Sequence, residues 1–167
     1  MLQHVCSDIF IHVFNLFSMK PSRSEWITIR GLQYHIRHWG EPDAPLLFML
    51  HGWMDVSASF QFLVDALQAG WHVIAPDWRG FGLTEHAPGN YWFPDYLADL
   101  DAILLHYAPT QPVHLLGHSL GANVAGIYAG VRPERIARLV MLEGFGMPAT
   151  RAQDAPARFG NWLDELR

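Results

Sequence analysis

Residues 113–121 read VHLLGHSLG, a short apolar run followed directly by the pattern G-x-S-x-G. The run Val113 to Leu116 predicts a buried strand, and the small and apolar residues of 120–131 predict a helix that ends before Pro133. Ser119 then lies at a sharp turn between strand and helix, where its backbone must be strained. Gly117 and Gly121 favour this turn because the neighbouring backbone can pass without a Cβ clash.

Further strands and helices alternate on both sides of this unit. Short apolar runs predict strands, and helical patterns with apolar residues on one face separate them. Alternation of this kind is typical of parallel βαβ units. The predicted strands are Leu46 to Leu50, His72 to Ala75, Val113 to Leu116 and Leu139 to Leu142, and the predicted helices are Ser57 to Gln68, Pro94 to Tyr107 and Leu120 to Val131.

A hairpin precedes the alternating part of the chain. Trp26 to Ile29 and Leu32 to Trp39 are β-branched and aromatic runs joined by Arg30-Gly31, a natural two-residue connection. The predicted fold is therefore α/β, with a mostly parallel sheet of six strands, an antiparallel N-terminal hairpin and helices on both faces. In such a sheet the chemistry is expected on loops at the carboxyl ends of the parallel strands.

One such loop is His51-Gly52-Trp53, which directly follows the strand Leu46 to Leu50. The Trp53 amide is expected beside the Leu120 amide, and two donors facing one oxygen form an oxyanion hole. We interpret His51 as structural. Taken alone, the pattern also fits a simple strand-to-loop turn.

A second loop, 77–82, reads DWRGFG. Asp77 and Arg79 in one tight turn can satisfy each other and the local amides, while Gly80 and Gly82 permit the turn itself. We interpret this loop as a scaffold element.

These three motifs, in this order and context, resemble the α/β-hydrolase fold family in its serine hydrolase, esterase-like branch. The resemblance covers about residues 24–146. It implies Ser119 as nucleophile, the amides of Trp53 and Leu120 as oxyanion donors, and a small-molecule substrate with an acyl group, without metal or cofactor. A serine at the elbow disfavours the branches with aspartate there, the haloalkane dehalogenases and epoxide hydrolases.

The sequence departs from the family pattern in its histidines. The chain order in this fold is nucleophile, acid, histidine, yet none of the ten histidines follows Ser119, and the last, His118, directly precedes it. Neighbouring residues on the elbow project in different directions, which disfavours His118 as the base. Glu143, at the end of the strand Leu139 to Leu142, is the candidate acid, and a loop or cap-contact role is the alternative.

The strand count agrees with this departure, because the six predicted strands compare with about eight in the resembled fold. Residues 158–167 form an amphipathic pattern suited to the first helix of a cap, with an apolar face formed by Phe159, Trp162, Leu163 and Leu166. We therefore expect a truncated hydrolase scaffold, inactive or incomplete alone. Its last strand would be an exposed edge that associates, or that meets a complementing C-terminal chain. A non-catalytic ligand-binding module is the alternative.

Composition limits the other function classes. The net charge of -5, without a dense Lys/Arg run, argues against nucleic-acid binding. The single cysteine, Cys6, excludes an internal disulfide and a thiolate metal cluster, and favours the reducing cytoplasm.

The N-terminal residues carry an apolar run of their own. Residues 2–18 are too short and too interrupted by polar residues to span a bilayer, and they make a poor signal peptide. A membrane-interacting amphipathic helix stays an alternative for them. The predicted organisation is an appendage at 1–18, a hydrolase core at 24–146 and the start of a cap at 147–167.

Overall fold

The computed structural model describes residues 19–89, 91–144 and 151–165, and within the last of these ranges it omits the side chains of 158, 159, 162 and 165. The predictions for residues 1–18, and for the apolar face that includes Phe159, Trp162 and Leu166, lie outside the described residues. The strands are β1 (Ser22–Ile29), β2 (Leu32–Trp39), β3 (Leu46–Leu50), β4 (His72–Pro76), β5 (Val113–His118) and β6 (Ile136–Leu142). The helices are α1 (Gln61–Ala66), α2 (Phe93–Tyr107), α3 (Leu120–Val131) and α4 (Ala155–Glu165), with short 3-10 turns before α1, β6 and α4.

The six strands form one sheet in the order β1-β2-β4-β3-β5-β6. β1 pairs antiparallel with β2, and β2 pairs antiparallel with β4. β4, β3, β5 and β6 run parallel to one another. The predicted fold class, an α/β sheet with an antiparallel N-terminal hairpin, is confirmed.

The hairpin turns over two residues with left-handed backbone. Arg30 has a φ of 49° and Gly31 a φ of 85°. Both central residues of a type I′ turn need a positive φ, because only that twist matches the right-handed twist of the flanking strands. The turn fixes the register at Ile29 opposite Leu32.

Helices cover both faces of the sheet. On one face α2 and α3 bury residues such as Leu100, Ile103 and Val124 against Phe48 and Ile74. On the opposite face Phe60 and Val64 pack with Trp39 and Met49. The residues of α2 that face the sheet are buried, namely Tyr96, Leu100, Ile103 and Leu104.

The helix predicted over 57–68 is shorter and begins differently. A 3-10 turn over Ser57–Phe60 leads into α1, which ends at Ala66, and no side chain caps either segment. The Ser57 amide donates to Oδ1 of Asp77 at 2.6 Å. A carboxylate from another loop therefore satisfies the first amide of this segment.

β6 lies at one edge of the sheet, and its Val140, Met141 and Leu142 side chains are exposed. Among the described residues no strand pairs with its outer side. The predicted association through this edge stays a prediction. No helix within the described ranges is long and apolar enough to cross a membrane.

Candidate active site

Ser119 occupies the strained turn that the sequence predicts. β5 ends at His118 and α3 begins at Leu120, so one residue reverses the chain. Ser119 has a φ of 50° and a ψ of -114°, a conformation that L-residues with a side chain seldom adopt. Its amide donates to the carbonyl of Leu142 at 2.9 Å, and its carbonyl accepts the Asn123 amide at 3.0 Å. These bonds hold the turn between β6 and the first turn of α3.

The flanking glycines are required by close backbone contacts. A Cβ at Gly117 would overlap the carbonyl of Gly121 and approach Cα of Ala122 to 2.6 Å. A Cβ at Gly121 would overlap the Leu50 carbonyl and lie 2.7 Å from the carbonyl oxygen of His51. Gly117 thus lets α3 pack on the end of β5, and Gly121 lets it pack on the end of β3, which fixes the serine at the carboxyl edge of the sheet.

The loop after β3 lies against the serine. A Cβ built on Gly52 would be 3.2 Å from Cβ of Ser119 and 3.1 Å from Nδ1 of His118. Gly52 and Ser119 are therefore in contact, as expected for neighbouring parallel strands β3 and β5. Trp53, the next residue, has an exposed ring that packs edge-on against Phe81 at 5.2 Å.

His51 is engaged in the scaffold. Its Nε2 accepts the Trp78 amide at 2.9 Å, and because an amide can only donate, this nitrogen carries no proton. Nδ1 therefore carries the proton and donates to the Gly52 carbonyl at 2.8 Å. Burial lowers the pKa of His51, which keeps the ring neutral.

Glu143 follows β6 with a φ of 53°, and its carboxylate is well exposed. Its Oε2 lies 3.7 Å from Nε2 of His118. The Ser119–Leu142 hydrogen bond brings the start of this loop to the elbow. The structure thus brings together Gly52, Ser119 and the loop that carries Glu143.

Comparison with known proteins agrees with this geometry. A family model described as alpha/beta hydrolase fold matches residues 45–167. The chain belongs to the α/β-hydrolase fold family. It is 32% identical over 149 residues to a serine hydrolase-like protein of Danio rerio, covering 84% of this chain and 44% of that protein.

Solved structures are similar over the same region. A hypothetical protein from Pseudomonas aeruginosa PAO1 superposes with a TM-score of 0.75 at 33% identity, covering 86% of this chain and 51% of that one. The thioesterase domain from the curacin biosynthetic pathway superposes with a TM-score of 0.72 at 29% identity, covering 87% and 54%. This α/β-hydrolase chain spans about half the length of the relatives it matches.

The loop at 77–82 differs in one detail from the interpretation of its sequence. Asp77 and Arg79 do not pair with each other. Asp77 binds the amides of Ser57 and Leu83 and the ring of His35, and Arg79 binds Asp99 through two nitrogens at 2.6 and 2.7 Å. Neighbouring residues of a tight turn point to different sides, so each reaches a separate partner. A Cβ at Gly82 would overlap the Asp77 carboxylate, which explains this glycine.

Charge and burial set the protonation of this loop. Burial acts to raise the pKa of Asp77, but hydrogen bonds from the amides of Leu83 and Ser57 outweigh it, so the pKa lies below its usual range. The hydrogen bonds with Asp99 raise the pKa of Arg79 despite its desolvation. Both groups are charged in the folded hydrolase.

Sequence reasoning missed Asp99, although a signal was present. Asp99 is fully buried in α2, between the core residues Tyr96 and Leu100. It accepts hydrogen bonds from Arg79, Arg30 and the Tyr34 hydroxyl. An acidic residue on the apolar stripe of a helix indicates a buried partner of opposite charge.

Proposed function

We propose that this chain is the scaffold of a serine hydrolase that acts on esters or related acyl bonds of small molecules. The observation that carries the proposal is Ser119, held at a positive φ between β5 and α3 with Gly52 in contact beside it. A strained serine at this point of an α/β-hydrolase presents its hydroxyl above the sheet. The likeness to a domain described as a thioesterase supports acyl chemistry.

In the proposed reaction, Oγ of Ser119 attacks the acyl carbonyl and the carbonyl oxygen becomes an oxyanion. The amides of Trp53 and Leu120 hold that oxygen. Leu120 is the first residue of α3, so its amide has no acceptor within the helix, and the helix N-terminus favours negative charge. Collapse releases the alcohol, and water then releases the acid from the acyl-serine.

The base is the incomplete part of the proposed site. His51 is committed to Trp78 and Gly52, and residues 120–167 contain no histidine. We propose that residues 1–167 alone do not turn over substrate through Ser119. A histidine from a complementing C-terminal chain would act as base, with Glu143 as the acid that orients it. Loss of one triad member leaves only the modest catalysis of the oxyanion hole and binding.

The proposed compartment is the cytoplasm, because Cys6 is the single cysteine. The proposed partners are a small acyl substrate and a chain that pairs with the β6 edge. In this organisation residues 24–146 are the core and 147–167 begin the cap, while 1–18 are an appendage.

The test uses a fluorophosphonate probe on the purified chain, with adducts mapped by peptide mass spectrometry. We expect slow formation of a Ser119 adduct, and no difference in p-nitrophenyl ester turnover between the chain and Ser119→Ala. Fast turnover that depends on Ser119 would show that the base is present after all.

The second candidate function is a ligand-binding module without catalysis, favoured by the engagement of His51 with Trp78 and Gly52. It predicts no Ser119 adduct at any probe concentration, both alone and with a complementing C-terminal chain. Labelling that such a chain accelerates would exclude the binding module.

A further inference from the structure

A second serine lies on β1, at the edge of the sheet opposite to β6. It is hydrogen-bonded to a histidine, and that histidine is hydrogen-bonded to an aspartate. Nε2 of His35, on β2, lies 2.8 Å from Oγ of Ser24, on β1. Nδ1 of the same ring lies 2.8 Å from Oδ2 of Asp77. These are the contacts that a serine nucleophile, its base and the orienting acid make in serine hydrolases, which are recognised by geometry and not by sequence position.

The hydrogen-bond partners of Asp77 determine which nitrogen of the His35 ring donates and which accepts. Its carboxylate also accepts the amides of Ser57 at 2.6 Å and Leu83 at 3.0 Å, contacts that favour the ionised form. An ionised carboxylate only accepts, so Nδ1 of His35 carries the proton of the neutral ring. In the neutral ring, the form in which His35 can act as a base, Nε2 has a lone pair directed at Ser24, and the Ser24 hydroxyl donates to it.

The base is buried while the nucleophile is accessible. His35 and Asp77 are buried, whereas Ser24 is exposed on the edge strand β1. The His35 amide donates to Oγ1 of Thr84 at 2.9 Å, and the Asp77 amide donates to the His35 carbonyl at 2.9 Å. Backbone bonds on both sides thus fix the base and the acid, as a preorganised site requires.

Two neighbours of Ser24 indicate what would bind. The exposed ring of Trp26 lies 5.1 Å from the His35 ring and offers an apolar surface beside the hydroxyl. Arg37 is the cross-strand partner of Ser24, and its Nη1 donates to Oγ of Ser22 on the same face of β1 at 3.0 Å. Its Nε is buried without a hydrogen-bond partner among the described residues. An aromatic surface and a cation suit a neutral aromatic ester whose carbonyl oxygen becomes negative during attack.

We propose that Ser24, His35 and Asp77 form a second nucleophilic site, at which Ser24 is acylated by small aromatic esters. Oγ of Ser24 attacks the ester carbonyl as its proton passes to Nε2 of His35. The tetrahedral intermediate collapses with cleavage of the carbonyl–oxygen bond, and the leaving alcohol takes that proton from His35. Ser24 retains the acyl group as an ester. The site is independent of Ser119.

The test compares two serines of one strand in one molecule. The Ser119→Ala chain is treated with p-nitrophenyl benzoate, and acylation of Ser24 and of Ser22 is measured by peptide mass spectrometry over time. Ser22 is a matched control because it is exposed on the same face and touches Arg37, but its hydroxyl has no histidine partner within the described part of the chain. A positioned general base contributes about 10²–10⁴-fold, so we expect Ser24 to acylate at least ~100-fold faster than Ser22.

Four further measurements fix the interpretation. Ser24→Ala should abolish the fast acylation, and Ser22→Ala should leave it unchanged. In concentrated guanidinium chloride the rates of the two serines should become equal. Equal acylation of Ser24 and Ser22 in the folded chain would overturn the proposal, and so would unchanged Ser24 acylation in a folded His35→Gln variant. Because Ser119 is absent from this experiment, the result is separate from the test of the proposed function.

Discussion

At the residue scale, the elbow depends on the absence of side-chain atoms at two positions beside Ser119. Gly117 and Gly121 are each within overlap distance of another backbone segment once a Cβ is added. Gly130 lies on the same helix as Gly121, but an added Cβ there meets nothing within 4 Å. The two glycines of α3 therefore have opposite roles. Packing requires Gly121, whereas Gly130 only destabilises the helix.

The pair gives a matched prediction for stability. Gly121→Ala should lower the free energy of unfolding by about 1–3 kcal/mol, because the methyl group pushes α3 away from the Leu50 carbonyl. Gly130→Ala should raise it by up to ~1 kcal/mol, because alanine is the better helix former. Urea denaturation followed by circular dichroism measures both. Equal effects of the two substitutions would contradict the packing argument.

At the scale of elements, Asp99 joins three parts of the fold. It lies on α2 and binds Arg79 of the loop after β4, Arg30 of the hairpin turn and the Tyr34 hydroxyl of β2. Asp99 is fully buried, and Arg79 is buried beside it. Removal of one partner from a buried ion pair leaves an uncompensated charge in a poorly hydrated site.

We therefore expect Asp99→Ala to lower the free energy of unfolding by about 3–5 kcal/mol. Asp154→Ala is the control, since Asp154 pairs with Arg151 only three residues away on the surface. Its loss should change stability by about 0–1 kcal/mol. The two variants are compared by urea denaturation, and a small effect at Asp99 would show that this network does not hold the elements together.

At the scale of the whole molecule, buried histidines couple folding to pH. Burial lowers the pKa of His38 from 6.5 to about 4, aided by Arg23 and His72 and opposed by Glu25. Tyr107, from α2, also lies near this ring. Burial lowers the pKa of His72 and His51 as well. The folded chain thus excludes protons that the unfolded chain binds.

The sign of the pH dependence follows from that difference. Between the unfolded pKa of 6.5 and the folded pKa of about 4, the unfolded state binds more protons at His38. We expect the free energy of unfolding to fall as the pH is lowered through this window. His38→Gln should reduce the slope of the free energy of unfolding against pH. His86→Gln, at an exposed position, should leave this slope unchanged. Urea denaturation at a series of pH values measures the slope, and an equal slope in all three proteins would be inconsistent with this role of His38.

Much of the architecture could be predicted because its determinants are local. The apolar runs, the Arg30-Gly31 turn and the glycines around Ser119 each act on neighbouring residues, and the strands and the helix 120–131 form where they indicate. The helix prediction for 57–68 was wrong in detail, because the first amide of this segment binds Asp77, twenty residues away along the chain. A local pattern in the sequence cannot show an acceptor that comes from another loop.

Local patterns in the sequence predict the order of strands and helices, the serine elbow and the resemblance to a hydrolase. Which buried polar groups meet is visible only in the folded chain: Asp77 with His35, Arg79 with Asp99, and His35 with Ser24. The two kinds of feature differ in the distance along the chain over which they act. Strands and turns follow from the preferences of adjacent residues, whereas buried polar contacts form between segments far apart in the chain, and no spacing in the sequence records them.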